Sequence, residues 1–253
     1  MPELTNWLMV FLRVSSLLTV FPIFSAKNFP VQLRLALGAL ISALVSGTLP
    51  AWHPPTSDYF GLVLAMGQEI GVGLLFGFVG RMIFFALDMA GGLVATEIGL
   101  NLPPSLNPMS DTQTAAPGYV FFYLAAMLWL SLDLHHWMLA GFQKTYSLLP
   151  IGGAHLSGPL LEDVLGRTGW TFFIALQLCA PVLAVSFIIS LVFSVLGRAV
   201  PQMNVFAESF TVRILVGLSV FGLTTQLMSQ HIINYLRRLP EDMLRVAQLL
   251  GAG

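Results

Sequence analysis

Charge is what this sequence lacks. Only 9% of its 253 residues are Asp, Glu, Lys or Arg, where a soluble globular domain carries about 25%. So few charges cannot cover a water-facing surface, and with 56% hydrophobic residues the chain reads as an integral membrane protein. A net charge of −1 leaves no basic excess for nucleic acid. Cysteine is nearly absent too. Cys179 stands alone, which excludes an intramolecular disulfide and a multi-cysteine metal site; in "LQLCAPV" it reads as a small core hydrophobe rather than a reactive thiol. The first segment, "MPELTNWLMVFLRV", has Glu3 where a signal peptide carries Lys or Arg, and Arg13 inside its apolar run. It is therefore expected to stay as structure.

What the sequence has in abundance is long apolar runs. A bilayer core needs about 20 apolar residues of helix. Candidate spans are Asn6–Phe24, Leu35–Trp52, Tyr59–Arg81, Met82–Leu100, Tyr119–Phe142, Thr168–Leu196 and Phe210–Leu236. The third and fourth adjoin with no turn residue between them, so the expected fold is all-α with about six long apolar helices. The Thr168–Leu196 run is uncharged and would measure roughly 45 Å as a helix, against a hydrocarbon core of about 30 Å. Pro181 offers a kink inside it. The linkers are short and rich in Pro and Gly, and no tandem repeat is evident.

Basic residues give a conflicting orientation. Lys27 and Arg34 flank the first linker, Arg198 opens the turn "RAVPQMN", and Arg237, Arg238 and Arg245 follow the last span. The positive-inside rule would place all three regions in the cytoplasm. Yet one span, Phe210–Leu236, separates the last two. A simple crossing bundle surrounded by lipid cannot satisfy both.

Several features could carry function. Small residues recur at helix-packing spacing: Gly38, Ser42 and Ser46; the pairs Gly67–Gly71 and Gly73–Gly77; then Gly80, Gly91 and Gly92. They allow close backbone approach, within this chain or to partner subunits. Ionisable residues inside apolar runs are Arg13, Glu69, Arg81, Asp88, Glu97, Glu208 and Arg213. Each costs about 2.5–3.5 kcal/mol at bilayer depth on insertion scales, so salt bridges are the expected reading and a proton relay the sharper one. Arg81 and Asp88, seven apart, share nearly one helix face.

"DLHHW" groups Asp133, His135 and His136, but adjacent histidines diverge on a helix and make a poor two-ligand face. An interfacial pair beside Trp137 is the expected reading. "GLSV" at Gly217–Val220 suggests a serine nucleophile, yet Ser219 and His231 would lie roughly 18 Å apart on one helix. No hydrogen-bonded dyad forms at that separation. Neither HExxH nor GxxxxGK[ST] is present. The segment "NLPPSLNPMSDTQTAAPG", Asn101–Gly118, is irregular; an exposed surface loop is one reading, and a pore-lining or plugging loop the other, since at membrane depth such backbone must be buried in protein or line a cavity.

Taken in order, "RVSSLLTVFPIF", "FPVQLRLALGALIS", "EIGVGLLFGFVGRMIF", "DMAGGLVATEIGLNLPPSLNPMSD", "SLDLHHWMLAGFQKTYSLLPIG" and "GRAVPQMNVFAESFTVRILVGL" make the chain resemble the FliR family of flagellar export-gate proteins and its virulence-secretion counterpart, SctT. The resemblance runs over nearly the whole length.

The resemblance implies a subunit that is no enzyme and needs no cofactor. It would join FliP and FliQ homologues in a helical export gate, with an FlhB homologue around the base, in the bacterial inner membrane at the flagellar basal body. Residues 1–165 would pack like FliP, and residues 166–253 like a FliQ hairpin with a C-terminal amphipathic tail. Much of the gate would rise above the membrane, which would account for the overlong run and the charge conflict.

The loop carrying Pro103, Pro104, Asn107, Pro108, Met109 and Asp111 would help plug the pore. Arg198, Pro201, Gln202, Met203 and Asn204 would form a turn at the cytoplasmic entrance. Arg34, Glu69, Arg81, Asp88, Glu97, Glu208 and Arg213 would make intramembrane or intersubunit polar contacts. The tail "RRLPEDMLRVAQLLGAG" departs from many relatives and would cap the assembly or touch a neighbouring ring. Virulence-type secretion is the alternative service, and a small proton-coupled transporter using Glu69, Arg81 and Asp88 is the rival from another class.

Overall fold

The computed structural model describes residues 2–26, 29–50, 52, 59–100, 116–155 and 157–252. Among them every regular element is helical: α1 (Pro2–Val20), α2 (Pro22–Ser25), α3 (Val31–Ser46), α4 (Tyr59–Ile98), α5 (Ala116–Ser131), α6 (Leu134–Leu148), α7 (Gly158–Ala199), α8 (Val205–Leu236) and α9 (Leu239–Gly251).

Local chemistry explains most of the boundaries. The residue before a proline is pushed out of the helical region, and Phe21, ahead of Pro22, is extended at φ −65°, ψ 125°; α1 stops there. No such breaker lies between Arg81 and Met82, so the third and fourth candidate spans form one helix, α4, of 40 residues. Its end is a Schellman turn: Gly99 takes φ +85°, and the Leu100 N–H returns to the Ala95 carbonyl at 2.8 Å. The Tyr119–Phe142 run is divided between α5 and α6 at Asp133, which adopts φ +56°, a left-handed conformation that Asp tolerates better than most residues. The overlong run is longer still, because α7 has 42 residues and carries on through Pro181.

Among the described residues three helical runs are long and apolar enough to cross a membrane, α4, α7 and the run Ala207–Gly251, or four if the broken α5–α6 pair is one span. The expected six is therefore approximate. Two candidate spans merge, and α3 has only 16 residues.

The chain forms two compact units, each drawn from separated stretches of sequence. The first comprises Met1–Met82, Leu132–Thr168 and Arg237–Gly253. Here α1 packs on α3 and on the N-terminal half of α4. Gly73 and Gly77 make the second contact possible: a Cβ at Gly73 would collide with Ser16 and the Arg13 carbonyl, and one at Gly77 would come 2.8 Å from the Leu17 oxygen. Asn6 holds the segment after α3, donating to the Pro50 carbonyl at 2.9 Å and accepting from the Trp52 N–H at 2.9 Å.

In the same unit α9 lies on α6, burying Leu239, Met243, Val246, Ala247 and Leu250. The amphipathic tail is thus docked on its own chain. Charges secure it: Arg167 reaches Asp163 and Asp242, each at 2.5 Å, and Arg245 reaches Asp163 at 2.8 Å.

The second unit comprises Ile83–Ser131 and Gly169–Leu236. Within it α5 packs on α8, with Phe121 and Phe221 edge to face at 5.4 Å. The second half of α4 meets α5 where Gly91 faces Gly118 without side-chain spacing. Helices α7 and α8 form a hairpin closed by residues 200–204.

Candidate functional site

Charges in apolar surroundings must be neutralised by partners or avoided. In the first unit Arg13 and Glu69 are 0% and 1% exposed. The guanidinium donates from Nε to Oε2 at 2.5 Å and from Nη2 to Oε1 at 2.8 Å, a bidentate pair. Its remaining N–H groups reach the Leu149 carbonyl at 3.3 and 3.4 Å, and its carbon sits 4.1 Å from the centroid of the Tyr146 ring. Gly152, at φ +73°, turns its N–H onto Glu69 Oε1 at 3.1 Å. One ion pair thereby joins α1, α4, the end of α6 and the turn after it. Gln68 adds a bond to the Ala154 carbonyl at 3.2 Å.

The second unit contains a polar chain of a different kind. Arg213 Nη2 on α8 donates to Ser190 Oγ at 2.9 Å, and Ser190 Oγ donates to the Ser186 carbonyl at 2.8 Å. Ser186 Oγ then donates to Glu97 Oε2 at 2.7 Å. A cation and an anion are linked through two serines one helical turn apart. Arg213 Nε is buried with no partner among the described residues. Further along the hairpin, Tyr235 Oη donates to Gln177 Oε1 at 2.8 Å, and Gln177 Nε2 lies 3.4 Å from His231 Nδ1.

The hairpin turn is open to solvent: Arg198, Pro201, Gln202, Met203 and Asn204 are all exposed. The Met203 N–H bonds the Val200 carbonyl at 3.1 Å. Asn204 Oδ1 accepts from the Ala207 N–H at 3.4 Å, a weak cap on α8. Arg198 in the last turn of α7 and Glu208 in the first turn of α8 have the signs that the helix dipoles favour. Gln202 makes no hydrogen bond among the described residues, so of the two polar residues only Asn204 satisfies the backbone.

The remaining expected contacts separate. Arg34 is half-buried, its Nε lacking a partner among the described residues. Arg81 is half-buried on α4. Asp88 is exposed on the same helix. Pro103, Pro104, Asn107, Pro108, Met109 and Asp111 lie outside the described residues. The polar contacts that do form link helices far apart in sequence, with Glu69 and Arg13 in one unit and Glu97 and Arg213 in the other.

The family model for "Bacterial export proteins, family 1" matches residues 4–239. The chain belongs to that family. Among curated relatives of this export family, it is similar to the flagellar biosynthetic protein FliR of Escherichia coli (strain K12), 26% identical over 252 residues and covering 97% of this chain and 96% of that protein. It is likewise similar to the FliR protein of Bacillus subtilis (strain 168), 24% identical over 253 residues, covering 97% and 95% of the two chains. The FliR protein of Caulobacter vibrioides is 27% identical over 218 residues, covering 85% and 86%. Both polar clusters and the hairpin turn fall inside the family match. It ends at Leu239, the first residue of α9, so the docking of α9 is a feature of the stretch beyond it.

Proposed function

We propose that this export-family protein is a subunit of the flagellar protein-export gate in the inner membrane. It would assemble there with FliP, FliQ and FlhB homologues into a channel for unfolded substrates. The observation that carries this reading is the family match over nearly the whole chain, to relatives named as flagellar biosynthetic proteins. The helices add physical support. At 40 and 42 residues, α4 and α7 measure roughly 60 Å, twice a hydrocarbon core. They still expose Phe60, Val63, Phe187 and Val195. Apolar side chains beyond the reach of lipid need protein cover, and neighbouring subunits would supply it.

In this reading residues 1–165 correspond to a FliP-like part and residues 166–253 to a FliQ-like hairpin with its tail. The loop around Pro103–Asp111 closes the pore, and the turn from Arg198 to Asn204 faces the entrance. The subunit is structural and conducts passively; it performs no chemistry. The transporter rival would have to free its first acid, because Glu69 is held by Arg13 and Gly152.

The test is purification from native membranes in mild detergent with an affinity tag on this chain. Co-purification of FliP and FliQ homologues, with loss of motility on deletion, is expected. A monodisperse monomer in a strain that swims normally without it would overturn the reading.

A further inference from the structure

At the break between α5 and α6 three potential metal ligands converge. Asp133 is in the left-handed region at φ +56° and its side chain makes no capping bond to α6. Its carboxylate turns toward two imidazoles instead: Oδ1 lies 3.4 Å from His136 Nδ1 and 3.9 Å from His135 Nε2. The two rings are 4.0 Å apart at their centroids, tilted by 40°. On a regular helix adjacent side chains diverge by about 100°. Here each histidine presents a different nitrogen, and the three ligand atoms lie within 4.8 Å of one another.

That spacing suits a particular class of ion. Around a tetrahedral zinc, with bonds of about 2.0–2.2 Å, neighbouring ligand atoms sit about 3.3–3.6 Å apart. One pair already has this separation, and the others need a contraction of side chains at the surface. Two imidazoles and one carboxylate are a borderline donor set, matched to Zn²⁺ rather than to Mg²⁺ or Ca²⁺, which demand oxygen. Access is open, since the side chains of Asp133 and His136 are 72% and 69% exposed.

We propose that Asp133, His135 and His136 form a binding site for a zinc-class divalent cation at the α5–α6 corner. The set supplies three ligands and leaves a fourth position to water. The site is independent of the two buried polar clusters and of the export reading.

The experiment uses the full chain in detergent, purified through a tag without histidine and stripped with a chelator. Zn²⁺ is titrated calorimetrically, and Ni²⁺ is followed by quenching of the fluorescence of Trp137, the residue next to His136. The expected result is one saturable Zn²⁺ per chain. His135→Ala, His136→Ala and Asp133→Asn should each weaken it at least about tenfold, while His155→Ala and His231→Ala leave it unchanged. Circular dichroism of each variant should match the parent, which separates loss of a ligand from loss of the fold. Absence of saturable Zn²⁺ binding overturns the proposal, as does binding that persists at parental affinity in the His135→Ala/His136→Ala double variant.

Discussion

Arg13 on α1 and Glu69 on α4 are 56 residues apart in sequence and joined by two hydrogen bonds of 2.5 and 2.8 Å. Both side chains are buried, and the remaining donors of the guanidinium are spent on Leu149. A pair so enclosed gains little over an apolar pair of the same size, but losing one member leaves a bare charge in a low-dielectric core.

Glu69→Leu and Arg13→Met are therefore each expected to destabilise the first unit by about 3–5 kcal/mol. The double variant should recover most of that loss. Denaturant unfolding in micelles, analysed as a double-mutant cycle, measures the coupling. Equal and additive losses would mean that the pair is not the connection between α1 and α4.

The glycine pairs of α4 predict a contrast at identical spacing. Gly73 and Gly77 lie against α1, whereas at Gly67 and Gly71 no described residue outside their own stretch of helix comes within 4 Å of a Cβ position. Gly73→Val should disrupt folding, because the backbones of α1 and α4 cannot separate without losing the Arg13 contact. Gly71→Val should leave the isolated chain intact, with unchanged thermal unfolding. If Gly71 packs against a neighbouring subunit, the same substitution lowers recovery of the assembled gate in pull-downs; unchanged recovery would assign that face to lipid.

How much of this was legible in advance follows from what each signal reports. Scarce charge and long apolar runs report burial against something other than water, so the helical membrane class was readable from composition. The continuity of α4 was readable as well, since nothing between Arg81 and Met82 can stop a helix. The break at Asp133 was not, because apolar residues flank it on both sides and Asp enters the left-handed region only by local choice. Arg13 and Glu69 could each be marked as costly, but a pairing across 56 residues is a tertiary fact with no local period. Identical GxxxG spacing hid two different environments for the same reason. The amphipathic pattern of α9 announced a buried face without naming α6 as the surface that covers it.

The docking of α9 yields a further prediction. Val246 is fully buried, and Arg245 beside it bonds Asp163. Val246→Asp places an unpaired charge in that contact and is expected to release α9, at a cost of about 3 kcal/mol or more. Limited proteolysis should then cut after Leu236, at Arg237 or Arg238, where the parent resists. Arg245→Ala removes a side chain that is 68% exposed and leaves Asp163 paired with Arg167, so its proteolysis pattern should stay close to that of the parent.

The hairpin turn separates two roles that composition alone runs together. Asn204 caps α8 through a 3.4 Å bond to the Ala207 N–H, so Asn204→Ala should cost about 0.5 kcal/mol of hairpin stability, at the low end of capping effects. Gln202 is exposed and bonds nothing among the described residues, so Gln202→Ala should leave stability unchanged. Any motility defect in Gln202→Ala, with the assembly still recovered intact, therefore reports contact of this turn with another molecule. A swimming speed equal to the parent's would reduce residues 200–204 to a connection between α7 and α8. The Asn204 variant alone cannot make that distinction, because a loosened cap would also slow assembly; the pair of single variants, measured side by side, can.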